Sequence, residues 1–266
     1  MPLLYLISFF PQRTSSWLFG FVGLVLLGFG VQSLQAQVVV EEEDPFRQQD
    51  HAFGLGANLY SYGLGLDFQY FRKREPMWEY TLGLTLSSLK DPREVRIASN
   101  FADQGGKDFI PDKRFYVYTM ALTGGYQRLI YPNTGFNRLS LRVGVFGGPV
   151  LGFMKPYYIE YFVNSSSITN PVRTEQYSAQ LHDRNFIIGE ADFFEGFGET
   201  QIVPALRLGV NATLNLASSA LYLRALQVGI QTDIFTKRLN ILDEQTDQAV
   251  FFSGRIGFLI GNAWSE

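Results

Sequence analysis

Ser178, His182 and Asp183 are the residue types of a nucleophile, a general base and an orienting acid, and they fall within six consecutive positions. At a membrane surface such a set could serve a lipid hydrolase or acyltransferase. The three residues lie in the middle of a long segment without periodic pattern, 156–200, where no rigid element would hold them in register. We therefore predict no catalytic residue and keep a lipid-modifying enzyme as an alternative.

Four carboxylates of the same segment could offer oxygen ligands to Ca²⁺, namely Glu190, Asp192, Glu195 and Glu199. Their spacing is not that of an EF-hand loop, so a solvated acidic loop is the preferred interpretation. The chain contains no Cys and only two His, His51 and His182. This excludes thiolate sites and sites built from several histidines, and we predict no metal and no cofactor.

Phe193, Phe194 and Phe197 alternate with these carboxylates. Aromatic side chains in a loop need a surface that covers them, and aromatic residues dominate the energetics of protein interfaces. The two alternatives are packing of the loop on its own barrel and docking on another envelope protein. We predict these three phenylalanines as the interaction residues of the loop.

The composition differs from that of an ordinary soluble domain. Hydrophobic residues make up 46% and aromatic residues 15% of the 266 residues, whereas charged residues make up 18%, against roughly 25% in a typical globular domain. A disordered chain is excluded by this balance. The formal charge of -3 comes without a dense basic face, so nucleic acid is excluded as a partner.

The N-terminus has the layout of an export signal. An apolar run at 17–31 follows Arg13 and precedes the polar stretch 32–36, which is the arrangement of a signal peptide. A transmembrane helix is the alternative, but the run is shorter than the roughly 20 residues that a span needs. We predict a cleaved signal peptide at 1–36, an acidic tail at 37–51 and a barrel at 52–266.

Beyond His51 the sequence alternates between apolar and other residues with the period of two that marks half-buried strands. Eight such segments fall at 52–60, 64–72, 77–90, 113–128, 137–155, 206–216, 221–230 and 249–262. In the seventh segment the apolar positions change phase, which predicts a β-bulge near Ala225. A soluble lipocalin-like barrel would alternate as well, so alternation alone does not decide the fold class.

The lengths of the connections between the segments decide the fold class. The longer ones, 91–112, 156–200 and 236–248, fall at one end of the strands, and the short ones, 131–136 and 218–220, fall at the other. Outer-membrane barrels have short periplasmic turns and longer extracellular loops. We predict an all-β fold, a transmembrane antiparallel up-and-down β-barrel of eight strands with long extracellular loops, in the outer membrane.

Aromatic residues mark where the strands would cross the two membrane interfaces. The expected periplasmic girdle comprises Tyr70, Trp78, Tyr126, Phe136, Tyr222 and Trp264, and the expected extracellular girdle comprises Tyr60, Tyr116, Tyr118, Tyr157 and Phe235.

The export signal, the eight segments and the stretch from Phe258 to Trp264 resemble the small eight-stranded barrels of Gram-negative outer membranes, over 52–264. The stretches from Lys155 to Tyr158 and from Phe193 to Phe197 further resemble loops of largely uncharacterised barrel proteins of the Bacteroidota. The resemblance implies the same fold and location.

An eight-stranded barrel fills its interior with its own side chains. Strand parity predicts an inward polar set of Asp67, Gln69, Glu79, Gln127, Arg142, Arg207, Gln227, Gln231 and Arg255, joined by Arg224 only if the phase change follows it. We interpret the set as a buried network of salt bridges and hydrogen bonds. A narrow channel for ions or small solutes is the alternative.

These observations predict a non-enzymatic outer-membrane barrel that acts through its extracellular loops, as a structural and interaction component or an accessory subunit of an envelope assembly. The expected partners are outer-membrane lipids, lipopolysaccharide and another envelope protein.

Overall fold

The computed structural model describes residues 50–75, 77–101, 103, 105–131, 139–163, 172–179, 181–216, 222–242 and 248–264. The predicted signal peptide, nearly all of the acidic tail, and Phe136 lie outside the described residues. Within these ranges the strands are β1 His51–Tyr60, β2 Gly63–Glu75, β3 Trp78–Leu89, β4 Phe115–Tyr131, β5 Ser140–Pro156, β6 Tyr158–Phe162, β7 Val172–Gln176, β8 Ile187–Glu190, β9 Gln201–Asn215, β10 Tyr222–Leu239 and β11 Gln248–Trp264. No helix in the described part of the chain is long and apolar enough to cross a membrane.

Eight of these strands, β1–β5 and β9–β11, close into one antiparallel barrel in which β1 pairs with β11. Each barrel strand pairs with the next barrel strand along the chain, including β5 with β9 across the long connection between them. The predicted eight-stranded up-and-down barrel is confirmed. We call the end with connections 90–114, 157–200 and 240–247 the long-loop end, and the opposite end the short-loop end.

The outer wall of the barrel is apolar. Each barrel strand presents large hydrophobic side chains to the exterior, as Leu55, Leu66, Leu82, Leu122, Val145, Leu208, Val228 and Ile256 illustrate, one for each strand. A soluble barrel would have polar residues on its exterior, whereas a wall that faces lipid requires an apolar exterior. The fold is therefore that of a membrane-spanning barrel.

The β-bulge predicted near Ala225 is wrong. Strand β10 pairs with β11 in one continuous register from Tyr222 to Ile234, and the irregularity lies beyond Ile234. Ala225 points inward and packs with Phe71 and Leu259. Both faces of β10 are apolar at this end, so the alternation in the sequence looks as if it changes phase although the strand is continuous. Arg224 lies at an outward position of this strand.

The segment predicted as the longest loop is largely folded. Strands β6, β7 and β8 form a separate three-stranded sheet in the order β7-β6-β8. Connection 90–114 packs against it, since Phe109, which bridges to Ile97, shares a core with Tyr157, Ile159, Tyr177 and Ile187. We call this sheet, together with the other described residues of 90–114 and 157–200, the loop platform.

The predicted aromatic girdles are only partly correct. At the short-loop end, Tyr70, Trp78, Tyr126, Tyr222 and Trp264 lie on the outer wall or at its rim. At the long-loop end, Tyr60 and Phe235 are buried with inward parity, and Tyr157 is buried in the platform core. Only Tyr116 and Tyr118 of the second girdle follow the outward parity, whereas Phe235 belongs to an apolar cluster inside the barrel at this end.

Candidate functional site: a polar interior and an aromatic patch

Three arginines inside the barrel each face one carboxylate. Arg207 of β9 donates from Nε and Nη2 to Asp233, at 2.7 and 2.8 Å. Arg255 Nη1 lies 3.2 Å from Asp67 Oδ2, and Arg142 Nε lies 3.4 Å from Glu79 Oε2. The interior charges are therefore matched in pairs, as buried charges must be.

Two glutamines join β2 and β10 across the barrel interior, around the Arg255 pair. Gln69 Nε2 donates to Gln227 Oε1 at 3.0 Å, and Gln227 Nε2 donates back to Gln69 Oε1 at 2.8 Å. Gln69 also donates to Asp67 at 3.0 Å, and Arg255 Nη2 donates to Gln227 Oε1 at 3.2 Å. The structure thus brings four of the predicted residues into one hydrogen-bonded cluster.

Gln127 and Gln231 are buried on the same inner face, but they stand apart from that cluster. Their Oε1 atoms have no hydrogen-bond partner within the described ranges. A Cβ placed on Gly144 would lie 2.6 Å from Gln127 Cγ, so this glycine makes the space that Gln127 fills.

Asp233 is the important residue that the sequence reasoning missed. It is buried and binds Arg207, and it continues the inward parity of Gln227 and Gln231 on β10. Extending that alternation by one more step would have found it. Without Asp233 the predicted set held three arginines and two carboxylates, and with it the charges balance.

Hydrophobic clusters lie inside the barrel toward both of its ends. Toward the long-loop end lies a cluster of Leu89, Val117, Met154, Val203, Phe235, Leu239, Ile241, Leu242 and Phe251. Toward the short-loop end, Phe71, Ala225 and Leu259 pack together, with Ala52 and Leu223 against them. The cluster at the long-loop end draws members from β3, β4, β5, β9, β10 and β11 and forms an apolar plug there. The smaller cluster lies beside the Arg142–Glu79 pair, which sits at the short-loop ends of β5 and β3.

Ser178, His182 and Asp183 do not form a catalytic triad. His182 Nδ1 contacts the backbone N and O of Ser178, at 3.1 and 3.2 Å, while its Nε2 lies 3.4 Å from Glu175. Asp183 instead accepts a hydrogen bond from Asn185 N at 3.0 Å. The His182 ring is buried against Tyr161 and Tyr177, so it fixes the turn after β7.

The acidic residues of the platform bind separate partners. Glu190 accepts from Tyr116 and pairs with Arg96, Asp192 pairs with Lys107 at 3.0 Å, and Tyr158 donates to Glu199 at 2.9 Å. In the described part of the chain, no group of three or more His, Asp or Glu could hold a metal ion.

A buried ion pair holds connection 90–114 in place. Lys113 Nζ lies 2.6 Å from Glu94 Oε2, and both side chains are nearly inaccessible to solvent. Burial lowers the pKa of Lys113, while Glu94 acts in the opposite direction. The Tyr157 hydroxyl accepts a hydrogen bond from Ile110 N at 3.0 Å, and burial raises the pKa of this tyrosine.

The three predicted loop phenylalanines lie together and are exposed. Phe193 is 51%, Phe194 78% and Phe197 57% accessible. The rings of Phe193 and Phe194 are 5.3 Å apart, and those of Phe194 and Phe197 are 6.4 Å apart. They form one aromatic patch beside Tyr118 of β4.

The fold and its site define a membrane-spanning eight-stranded β-barrel with a polar interior and a folded platform at one end. Similar chains among solved structures include Neisserial surface protein A (NspA), with 8% sequence identity and a TM-score of 0.41 over 80% of this chain and 96% of that chain. Ail, the attachment invasion locus protein of Yersinia pestis, in complex with the heparin analogue sucrose octasulfate, has 9% identity and a TM-score of 0.39 over 81% and 98% of the two chains. The N-terminal β-barrel domain of Pseudomonas aeruginosa OprF has 11% identity and a TM-score of 0.33 over 80% and 98%. No model of a protein family and no curated protein matches the chain.

Proposed function

We propose that this protein is a non-enzymatic outer-membrane component that docks another envelope protein through Phe193, Phe194 and Phe197. The observation that carries the proposal is the exposure of these three rings on a segment that is otherwise held in place. An exposed aromatic patch on a fixed support has the composition of an interface hot spot.

The support of the patch comes from backbone and side-chain contacts on both sides of it. Lys155 of β5 donates to the carbonyl oxygen of Phe193, and Tyr158 holds Glu199 at 2.9 Å. Gly196 has φ 73, and a Cβ there would lie 2.5 Å from the Tyr158 ring. A rigid patch loses little conformational entropy on binding, which favours a specific partner.

The charges around the patch define the partner further. Asp192, Glu195 and Glu199 flank the phenylalanines, so a complementary surface is apolar at its centre and basic at its rim. The carboxylates disfavour insertion of the patch between anionic lipid headgroups. A protein partner therefore fits the patch better than a lipid surface does.

In this proposal the long-loop end lies outside the cell and both termini lie in the periplasm. Residues 1–36 are removed as a signal peptide, and the mature protein begins with a tail that ends near His51. The apolar plug at the long-loop end favours a binding role over transport, and the contact of His182 Nε2 with Glu175 instead of Asp183 favours binding over turnover. More specifically, we propose that the protein is an accessory subunit of a larger envelope assembly.

Photo-crosslinking in cells tests the docking role. A photoreactive amino acid at position 195 of the full-length protein should capture a defined envelope protein, and the yield should fall as salt rises because the rim is charged. The triple variant Phe193→Ser, Phe194→Ser and Phe197→Ser should fold and lose the product. As a matched control, Leu181→Ser removes another exposed apolar side chain of the platform and should leave the yield unchanged. A clean monomer without product, or equal yields from the triple variant, would contradict the proposal.

A further inference from the structure

A groove of about 820 Å³ runs across the outer wall of the barrel, from β3 to β11. It lies between two outward rows of side chains. One row contains Gly124, Gly147, Leu208, Thr232 and Phe252, and the other contains Tyr80, Tyr126, Val145, Val210 and Ile230, each in strand register. The intervening inward row, which includes Gly125 and Gly209, supplies the floor.

The groove exists because two adjacent outward positions have no side chain. Gly124 pairs with Gly147, where neighbouring outward positions carry Leu or Val. A Cβ on Gly124 would meet nothing within 4 Å, and Gly124 does not have a positive φ. Packing within the chain therefore does not require a glycine at position 124, whereas a Cβ on Gly147 would lie 2.9 Å from Leu208 Cδ2. The space over Gly124 is open to a molecule from the membrane.

The groove rises diagonally from the short-loop rim. Tyr80, at its start, lies two residues from the end of β3 at Trp78. Phe252, at its far end, lies twelve residues from the end of β11 at Trp264. Five steps between strands give a length of roughly 24 Å, which suits an acyl chain that crosses half of a hydrocarbon core about 30 Å thick at an angle.

Cationic and aromatic side chains surround the lower end of the groove. Arg74 Nη1 donates to Tyr80 OH at 3.0 Å, and the Arg128 guanidinium lies 5.4 Å from the Trp78 ring centroid. The Trp78 and Tyr126 rings stack at 4.5 Å. Both arginines are exposed, and Arg128 stands four residues from Gly124, about 13 Å along the strand. This places two positive charges at headgroup level beneath an apolar groove.

We propose that this site binds one glycerophospholipid of the leaflet at the short-loop end. One acyl chain lies in the groove over Gly124 and Gly147, and the phosphate lies between the guanidiniums of Arg74 and Arg128. The rings of Trp78, Tyr80 and Tyr126 lie at the level of the glycerol backbone, where amphipathic aromatic residues are favoured.

The charge distribution favours a lipid over a second copy of the chain. Two copies related by an axis along the membrane normal would bring their grooves together at the same height. Their four arginines would then face one another and repel. A phospholipid supplies the opposite charge at that height and an apolar chain above it.

Native mass spectrometry of the full-length protein released from detergent tests the site, with palmitoyl-oleoyl phosphatidylglycerol and palmitoyl-oleoyl glycerol as probes. The wild type should retain one phosphatidylglycerol and should not retain the phosphate-free diacylglycerol. Gly124→Leu fills the groove, and Arg74→Gln with Arg128→Gln removes the charges. Each variant should weaken retention about tenfold or more, because the first loses the apolar burial of the acyl chain and the second loses the charge-assisted hydrogen bonds to the phosphate.

Two control variants match these changes. Ala57→Leu enlarges an outward side chain on β1, away from the groove, and Lys237→Gln with Arg238→Gln removes two exposed cations near the long-loop end. Both should retain the lipid as the wild type does. Equal retention by all variants, or equal binding of the diacylglycerol, would overturn the site. A dimer that disappears in Gly124→Leu would identify a second copy as the occupant instead. None of these outcomes bears on the phenylalanine patch.

Discussion

Arg207 and Asp233 form a two-point ion pair inside the barrel, at 2.7 and 2.8 Å. Replacing Arg207 alone leaves a buried carboxylate without its countercharge. We expect Arg207→Leu to lower the free energy of unfolding by about 3–5 kcal/mol. Urea unfolding in detergent micelles, followed by tryptophan fluorescence, measures the change.

The double variant Arg207→Leu with Asp233→Leu is the matched control, because it removes both charges together. Replacing a whole buried pair by apolar residues is often nearly neutral, so the double variant should recover most of the stability. A double variant as unstable as Arg207→Leu would mean that the pair does not act as a unit.

The apolar plug at the long-loop end predicts a barrel that does not conduct. Val117 and Phe251 belong to this plug, whereas Phe71 and Leu259 belong to the smaller cluster toward the short-loop end. Planar bilayers that contain the purified protein should show no stepwise current at any salt concentration. Phe71→Ala should remain silent, because the plug at the long-loop end is intact in this variant. Steady unitary currents from the wild type would restore the channel hypothesis.

Glu94 is expected to stabilise the platform by compensating the charge of Lys113. Glu94→Ala leaves a buried ammonium, and we expect connection 90–114 to loosen by about 3–5 kcal/mol. Limited proteolysis of the folded protein should then cut within 90–114 far faster than in the wild type. Arg93→Ala breaks an exposed pair with Asp91 that contributes about 0–1 kcal/mol, and its cleavage rate should not change.

Alkaline pH should weaken the platform through Tyr177. Burial is the main cause that raises the pKa of Tyr177 above its ordinary value of 10.0. The stability that comes from its neutral form is therefore complete below pH 10.0 and is lost as the pH rises through the raised pKa. The difference in unfolding free energy between the wild type and Tyr177→Phe should shrink over that interval. Denaturant unfolding at several alkaline pH values, read by near-ultraviolet circular dichroism, measures it, and a constant difference would contradict the assignment.

Strand number and order were predictable from the sequence because lipid and lumen impose opposite polarity on alternate residues. Leu206 to Leu216 alternates with Arg207 and Asn211 without interruption, and β9 lies there. The pattern failed around Ala225, where both faces of the strand are apolar. Only the pairing of β10 with both neighbouring strands shows that an inward apolar residue, and not a β-bulge, lies at Ala225.

The alternation pattern of the sequence could not predict the loop platform. Strands β6 to β8 have four or five residues each, too few for a periodic signal to emerge. Their core also depends on Phe109 from a different connection, a contact that local sequence does not specify. The exposure of Phe193 and Phe194 depends on that tertiary packing. The sequence could therefore identify these residues as candidates, but it could not predict whether their rings are buried or exposed.

The shared core of the platform imposes an order of assembly. Phe109 belongs to the connection before β4, and Tyr157 and Ile187 belong to the connection after β5. In the proposed orientation, with the long-loop end outside the cell, these side chains meet after both connections have crossed the membrane. We therefore expect the platform to form after β4 and β5, which lie between its two halves, have inserted, and we expect a barrel arrested during insertion to present unfolded, protease-sensitive connections.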